Sequence, residues 1–441
     1  MRSHEEDVAE AIIEAILRAL WAFRLELTLV GTYGTLGLMA NHLLGEKGAW
    51  MASAAVVALV LLVPPIRRFM GRRLRHARVR RQWARAVRSA RIPSLEDRVP
   101  SVHRMKDIPA GERCEVRVPP GSSVPDLEHA SEVIAAALRI RELRVRRAAD
   151  NASRAEIVIA RRDPLAVGPP LPWPQVGASQ ASLWQPIPVA VGEDGQAVTV
   201  LLPERNLLLG GEPGAGKSVA LSLLVATAAL DPECKLWLLD GKLVELATWN
   251  RCAQGSAGVS VSEAIEVLRS LQEEMDQRYG QLLRAGKRKV AQGDGLPLHI
   301  VVVDELAHYL TTSDRKERTE FADLLRDLVS RGRAAGIIVL AATQKPAADV
   351  VPTSIRDLFG FRWAMRCSTP QASDTILGSG WASAGYSAAD VDPASRGVGY
   401  LLHEGGIPQR LRSYYLDDSA LASISARAEA LRGHRPRFRG V

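Results

Sequence analysis

One stretch of the chain has the residue types and spacing of a phosphate-binding loop. Residues 211–218 read GEPGAGKS and match the pattern GxxxxGK[ST] in full, between the apolar run NLLLG and a helical pattern. In such a loop, backbone N–H groups surround the phosphates, the lysine neutralises the β- and γ-oxygens, and the serine binds Mg²⁺. The sequence therefore predicts a site for ATP and Mg²⁺ whose nucleotide contacts are Gly211, Glu212, Pro213, Gly214, Ala215, Gly216, Lys217, Ser218 and Val219.

Acidic and amide residues that could complete this site end two later apolar runs. Asp304 and Glu305 end HIVVVDE, 87 residues after Lys217. We expect Asp304 to join Ser218 in binding Mg²⁺ and Glu305 to polarise the attacking water, which predicts hydrolysis. Gln344 ends IIVLAATQ, where its amide can contact the γ-phosphate or the water. The alternatives are that Glu305 is a surface charge at the start of a helix and that Gln344 is a turn amide.

Strand-like and helical patterns alternate around these motifs. NLLLG, KLWLLD, LHIVVVDE and IIVLAATQ favour strands, whereas helices are predicted from Lys217, over 262–285 and over 317–333. Ser260 and Glu263 have the spacing of a capping box before the second helix. Such alternation is typical of an α/β fold with a parallel sheet covered by helices on both faces.

Several of these segments together resemble the motor domain of the FtsK/SpoIIIE translocases. They are GEPGAGKSV, LLDGKLVEL, EEMDQRY, IVVVDEL and the long run RGRAAGIIVLAATQKPAADVVPTSIRDLFGFRWAMRCSTPQASDTILG. The resemblance extends from about Asn206 to Asp418. Within that family, the compact size and the apolar N-terminal runs are most similar to Tra/TraB-type DNA-transfer proteins of actinobacterial plasmids and integrative elements.

The resemblance implies a RecA-like P-loop ATPase that assembles as a homohexameric ring and threads double-stranded DNA. An arginine of one subunit would then act at the γ-phosphate of the next, and Arg333 is preferred among Arg331, Arg333, Arg362 and Arg366. Lys345, Arg356, Lys287 and Arg288 are the predicted DNA contacts, although the last two also fit a solvated charge run. The 23 residues after Asp418 leave no room for the family's C-terminal winged helix, so a separate DNA-loading protein is expected.

Two apolar runs near the N-terminus, 27–44 and 49–66, each have about the length that crosses a bilayer. Residues 67–91 follow with eleven arginines and no acidic residue, so the formal charge of +8 leaves about −3 (8 − 11) for the rest of the chain. Basic residues on this flank favour a two-span hairpin in the cell membrane with the motor in the cytoplasm. A buried helical hairpin of a soluble domain is the alternative.

The patterns divide the chain into seven segments. The four scattered cysteines favour neither disulfides nor zinc. The segments are an amphipathic cytoplasmic stretch (1–26), the transmembrane hairpin (27–66), the arginine-rich juxtamembrane segment (67–100), a small α+β unit (101–162), a proline-rich connector (163–200), the ATPase motor (201–418) and a basic tail (419–441).

Three other functions stay open at this point. The first is a DNA pump for chromosome partitioning, and the second is a protein-export ATPase of the type VII kind, whose chains usually carry several ATPase modules where this one has a single P-loop. The third is a scaffold that binds nucleotide without hydrolysing it, which the pair of Asp304 and Glu305 disfavours.

Overall fold

The computed structural model describes residues 23–92, 98–148, 150–166, 168–344, 347 and 351–433. The chain separates into two compact units, one ending at Arg162 and the other beginning at Asp163. Each unit has its own hydrophobic core, so each is described separately below.

Two helices dominate the start of the N-terminal unit: α1 (Arg24–Leu62) and α2 (Pro64–Ser89). Gly45, at φ 69°, interrupts α1 with a non-helical residue, and Pro64 opens α2. The apolar runs predicted as a membrane hairpin lie almost wholly within α1. Among the described residues, no helix combines the length and the apolar character that a bilayer crossing requires.

The rest of this unit is a four-stranded antiparallel sheet with two short helices. The elements are β1 (Ser101–Ile108), β2 (Gly111–Arg117), α3 (Val124–His129), α4 (Ser131–Leu138), β3 (Glu142–Arg147) and β4 (Arg154–Ala160), with strand order β1-β2-β4-β3. Trp83 and Val87 of α2 are buried in the core of this sheet, and the Trp83 indole donates to the carbonyl of Pro100 at 2.8 Å. The second half of the arginine-rich segment therefore belongs to this domain's core, which the sequence analysis did not predict.

The C-terminal unit is built on a ten-stranded sheet. Its strands are β5 (Ile187–Gly192), β6 (Ala197–Val200), β7 (Leu207–Gly210), β8 (Cys234–Leu239), β9 (Gly255–Ala257), β10 (Leu298–Val303), β11 (Ile337–Thr343), β12 (Phe361–Met365), β13 (Val398–His403) and β14 (Gln409–Ser413). The strand order is β6-β5-β14-β13-β12-β7-β11-β10-β8-β9.

The parallel arrangement predicted from the sequence holds for the six strands from β12 to β9. The remaining four strands, β13, β14, β5 and β6, pair antiparallel, so the sheet as a whole is mixed, and the predicted parallel sheet is its larger part. Two of these four come from the segment predicted as a stiff connector. Their alternating buried residues, such as Ile187 and Val189, extend the main core.

Helices cover both faces of the sheet, as predicted. They are α5 (Lys217–Leu230), α6 (Val261–Arg284), α7 (Leu306–Leu310), α8 (Arg315–Arg331), α9 (Thr353–Arg356), α10 (Pro370–Leu377) and α11 (Asp418–Arg432). Leu207 and Leu209 of β7 face the core that contains α5, whereas Leu208 faces the core that contains α6 and α8. The Ser260 hydroxyl accepts a hydrogen bond from the Glu263 N–H at 3.3 Å and so caps α6.

Candidate ATP-binding site

The predicted phosphate, metal and water-activating residues meet at one edge of the parallel sheet. Strand β7 leads into the phosphate-binding loop, β10 into Asp304 and Glu305, and β11 into Gln344. In the strand pairing Gly210 lies beside Thr343, and Val303 beside Ala341. Because these strands are parallel, their carboxyl ends share an edge, which is where α/β folds bind ligands.

The loop between β7 and α5 has the backbone that phosphate binding needs. Gly216 has φ 108° and precedes the first residue of α5, and a Cβ there would lie 3.0 Å from the backbone of Gly397. Only glycine fits such a position without strain. The N–H of Glu212 donates to the carbonyl of Arg366, and the N–H of Gly397 to that of Ala215, both at 2.9 Å. The loop is therefore held in place from both sides.

The other residues of the motif are placed as a nucleotide would require. Pro213 and Gly214 are exposed at the tip of the loop, and Ala215 is buried beneath it. Ser218 and Val219 lie in the first turn of α5 and are half-buried. Unpaired N–H groups at such a helix N-terminus attract phosphate.

Lys217 is a buried cation whose partners among the described residues are distant. Its side chain is 3% exposed, and its Nζ lies 3.6 Å from Asp304 Oδ1 and 3.5 Å from the Asp304 carbonyl oxygen. Burial lowers the pKa of the Lys217 ammonium, whereas the Asp304 carboxylate opposes this. A triphosphate would supply the close negative charge that stabilises a buried ammonium.

Asp304 is fully buried, and within the described part of the chain neither of its carboxylate oxygens accepts a hydrogen bond. Burial raises the pKa of this carboxyl, although Lys217 and Lys242 lower it in part. The Lys217 and Lys242 ammonium groups lie 3.6 and 3.8 Å from its oxygens, beyond hydrogen-bond distance. Because buried polar groups are normally hydrogen-bonded, this carboxylate has room for a closer partner such as a metal ion. The described residues form no cluster of three or more metal-ligating side chains. Mg²⁺ suits this site because it takes few protein ligands and completes its shell with water and phosphate.

Glu305 is oriented by the end of the neighbouring strand. Its Oε1 accepts from the Thr343 hydroxyl at 3.0 Å and from the Gln344 N–H at 3.1 Å, and the residue is 9% exposed. The alternative of a solvated surface charge was therefore wrong. A carboxylate fixed beside a metal ligand can position a water molecule and accept its proton.

Lys242 is a site residue that the sequence analysis did not single out. Its Nζ lies 3.1 Å from Glu305 Oε2 and 3.8 Å from Asp304 Oδ2. The Asp240 carboxylate holds the turn by accepting from the Lys242 and Leu246 N–H groups at 3.1 and 3.0 Å. LLDGKLVEL contains Lys242, but no spacing rule relates this lysine to Glu305, 63 residues later (305 − 242). Only the pairing of β8 with β10 brings them together.

The four candidate arginines lie at two different edges of the sheet. Arg366 follows β12 and pairs with Glu212 of its own phosphate-binding loop at 2.5 Å, so it lies at the nucleotide edge of its own subunit. Arg331 and Arg333 precede β11, and Arg362 is the second residue of β12. Those three lie at the opposite edge of the sheet.

Among the three distal arginines, Arg333 is held least tightly. Arg331 forms close ion pairs with Asp276 and Asp327, whereas Arg362 donates to the carbonyl oxygens of residues 359 and 377. The Arg333 side chain is 38% exposed, and its ion pair with Glu404 spans 3.9 Å.

The predicted DNA contacts have mixed outcomes. Lys345 lies outside the described residues. Arg356 is 7% exposed and donates to the Thr375 carbonyl at 3.2 Å, so its prediction as a surface contact was wrong. Lys287 and Arg288 are exposed before β10, although Lys287 forms an ion pair with Asp294 at 2.5 Å. Their role as DNA contacts stays a prediction.

Comparison with known proteins adds independent information. Residues 177–299 match the model of the FtsK/SpoIIIE family. The DNA translocase FtsK of Lactococcus lactis subsp. cremoris is 28% identical over 290 residues, which are 61% of this chain and 38% of that protein. FtsK of Staphylococcus aureus is 30% identical over 217 residues, 44% of this chain and 27% of that protein. The chain thus spans well under half the length of these curated relatives.

Two solved structures have a similar fold at low sequence identity. The pCW3 conjugation coupling protein TcpA, in its monomer form with ATPgS, superposes with a TM-score of 0.54 and 18% identity over 80% of this chain and 99% of that chain. EssC (ATPases 2 and 3) from Geobacillus thermodenitrificans has a TM-score of 0.50 and 17% identity over 62% of this chain and 53% of that chain. Taken with the translocase relatives, the family match shows that the ATP-binding unit of this chain is similar to the FtsK/SpoIIIE family over residues 177–299.

Proposed function

We propose that this chain is a membrane-anchored, ATP-driven translocase of double-stranded DNA that works as a homohexamer in the transfer of a plasmid or integrative element. The observation that carries the ATPase part is the buried group at the nucleotide edge of the sheet. There Lys217 and the Asp304 carboxylate lie beside a carboxylate, Glu305, that two hydrogen-bond donors orient.

In this proposal each residue has a separate role in hydrolysis. Lys217 and the backbone N–H groups of Gly214, Gly216 and Lys217 bind the phosphates, while Ser218 and Asp304 would hold Mg²⁺. When bound, Mg²⁺ would neutralise charge on the β- and γ-phosphates. Glu305 orients the attacking water and accepts its proton, and the Gln344 amide contacts the γ-phosphate or the water.

The DNA cargo and the ring are inferred from the family. The curated relatives are DNA translocases, and one solved neighbour is a conjugation coupling protein. Chromosome partitioning and protein export are the alternatives, and a separate protein would load the DNA.

The membrane anchor is supported by the surface of α1. Large apolar side chains along both halves of this helix are exposed, including Val30 at 70%, Leu38 at 72% and Trp50 at 72%. A lipid environment would cover them, and the basic α2 follows directly. We expect the chain to stay in the membrane fraction after a carbonate wash, whereas release into the supernatant would contradict an integral anchor.

The proposed function is tested by ATP hydrolysis with duplex DNA, single-stranded DNA or no polymer at one fixed salt concentration. We expect duplex of any sequence to stimulate hydrolysis. Lys217→Ala should lose nucleotide binding, whereas Glu305→Gln should bind ATP but hydrolyse it at least about 100-fold more slowly. Hydrolysis that is indifferent to DNA in a ring-forming protein would reject the DNA pump and favour protein export.

A further inference from the structure

A large groove lies within the N-terminal unit. It has a volume of about 1140 Å³ and is lined by residues of α2 and of the strands β1, β2 and β4. The residues on one wall belong to the arginine-rich helix, and those on the other wall belong to the strands. The groove has no part in the proposed hydrolysis.

Positive charge dominates this groove. Seven arginine and lysine side chains line it against four aspartates and glutamates, which is a formal excess of three. Arg72, Arg73 and Arg80 come from α2, and Lys106 comes from β1. A concave site with one sign of charge raises the local concentration of anions.

The acidic side chains of the groove are already paired with other cations. Glu156 lies 3.1 Å from Arg113, Asp150 lies 3.6 Å from Arg154, Glu115 lies 3.8 Å from Arg104, and Asp107 lies 2.9 Å from Arg75. Arg72, Arg73 and Lys106 form no ion pair within the part of the chain that the structure describes. These three cations are therefore available to bind an anion from outside the chain.

Helix α2, which forms one wall of the groove, packs against the sheet through residues that follow Arg72 and Arg73 along the helix. Trp83 is 1% exposed in the domain core, and the Arg80 guanidinium donates to the His103 carbonyl on β1 at 3.0 Å. The cations are thus spaced by a packed helix and a paired strand. Preorganised cations lose less conformational entropy when they bind a repeating anion.

We propose that this groove binds the sugar–phosphate backbone of double-stranded DNA, an inference that rests on the proposed DNA cargo. The groove presents cations from both walls, and its large aromatic side chain is Phe69, so it suits phosphate contacts more than the stacking of unpaired bases. A bilayer surface is broad and presents its headgroups in a plane, so it would reach the outward arginines of α2 before those inside a groove. The site would hold duplex of any sequence independently of ATP.

The test compares two variants of the full chain in detergent, both with Lys217→Ala so that hydrolysis plays no part. The groove variant carries Arg72→Gln, Arg73→Gln and Lys106→Gln. The control carries Arg78→Gln, Arg85→Gln and Arg88→Gln, three exposed arginines of α2 that do not line the groove. Binding of a mixed-sequence duplex is measured by fluorescence anisotropy across a salt series without nucleotide.

We expect the groove variant to bind about tenfold or more weakly, with a salt slope smaller by about 0.9 for each lost phosphate contact, and the control to bind nearly like the parent. In addition, duplex should protect Lys106 of the parent protein from acetylation, which requires no groove substitution. Equal losses in both variants, or protection of Lys106 by anionic vesicles but not by duplex, would overturn the inference. If the parent protein binds no duplex, both this inference and the proposed DNA cargo are rejected. A defect in hydrolysis alone would not change the binding measurement, because both variants already carry Lys217→Ala.

Discussion

At the scale of single residues, the Lys242 ammonium lies close to both carboxylates of the ATP site. The ammonium lies 3.1 Å from Glu305 Oε2 and 3.8 Å from Asp304 Oδ2, so one cation bridges the proposed metal ligand and the carboxylate proposed to activate water. Two adjacent carboxylates repel each other when both are ionised. A shared cation lowers that repulsion and adds a third contact to the two that orient Glu305.

We expect Lys242→Met to lower kcat about tenfold, because Glu305 would lose a positioning contact while the phosphate-binding loop stays intact. Lys242→Arg keeps the charge and should recover part of the rate. The measurement is steady-state ATP hydrolysis together with the affinity for a fluorescent ATP analogue. A rise in KM and in the dissociation constant at unchanged kcat would instead assign Lys242 to nucleotide binding.

At the scale of secondary structure, the last turn of α11 stabilises the helix that carries Lys217. The Arg432 guanidinium donates to the carbonyl oxygens of Ala228 and Ala229, at the end of α5, at 2.6 and 2.7 Å. It also donates to the carbonyl of Asp231 just beyond the helix at 2.9 Å. These carbonyls lie where a helix lacks intrahelical donors, so a cation there satisfies them and complements the helix dipole.

Arg432→Met is expected to lower the free energy of unfolding of the ATPase unit by about 2 kcal/mol, because the carbonyl oxygens lose a charged donor. Urea unfolding followed by tryptophan fluorescence measures the change. Arg284→Met is the matched control: Arg284 also lies in the last turn of a helix but is exposed, so its effect should stay within about 0.5 kcal/mol. Similar losses in both variants would mean that the carbonyl contacts of Arg432 add little.

At the scale of the whole molecule, the ATP site and Arg333 lie at opposite edges of the same sheet. A subunit cannot bring that arginine to its own phosphate-binding loop without unfolding β11. In the proposed ring, the distal edge of one subunit would have to face the nucleotide edge of the next for this arginine to act across the interface. The geometry thus makes Arg333 the strongest candidate, whereas Arg366 belongs to the cis site through Glu212.

We expect subunits carrying Arg333→Ala and subunits carrying Lys217→Ala to be inactive alone but partly active when mixed. In a mixed ring, some interfaces combine an intact phosphate-binding loop with an intact Arg333. The measurement is DNA-stimulated ATP hydrolysis as a function of the mixing ratio. Arg331→Ala serves as the control for Arg333→Ala, since Arg331 is tied to Asp276 and Asp327. Absence of activity in every mixture that forms rings would assign both residues to one subunit.

The short motifs of the ATP site were predictable because their geometry is local. Residues 211–218 specify a loop between a strand and a helix, and the apolar run before Asp304 specifies a buried strand whose end must lie near that loop in a parallel sheet. The helices at 261–284 and 315–331 were likewise predicted to within two residues, since their apolar periodicity and caps lie within each segment.

Tertiary structure decided the features that depend on distant partners. The apolar alternation of β5 and β6 does not encode which sheet they join or in which direction, and Lys242 reaches Glu305 only because β8 pairs with β10. Arg356 is buried by tertiary packing and is not available at the surface. Arg333 and Arg366 lie at opposite edges of the sheet because one precedes a strand and the other follows one. The sequence by itself determined the chemistry of the nucleotide site, because contiguous residues carry it. Which charged side chains contact each other depends instead on the packing of segments that are far apart in the chain.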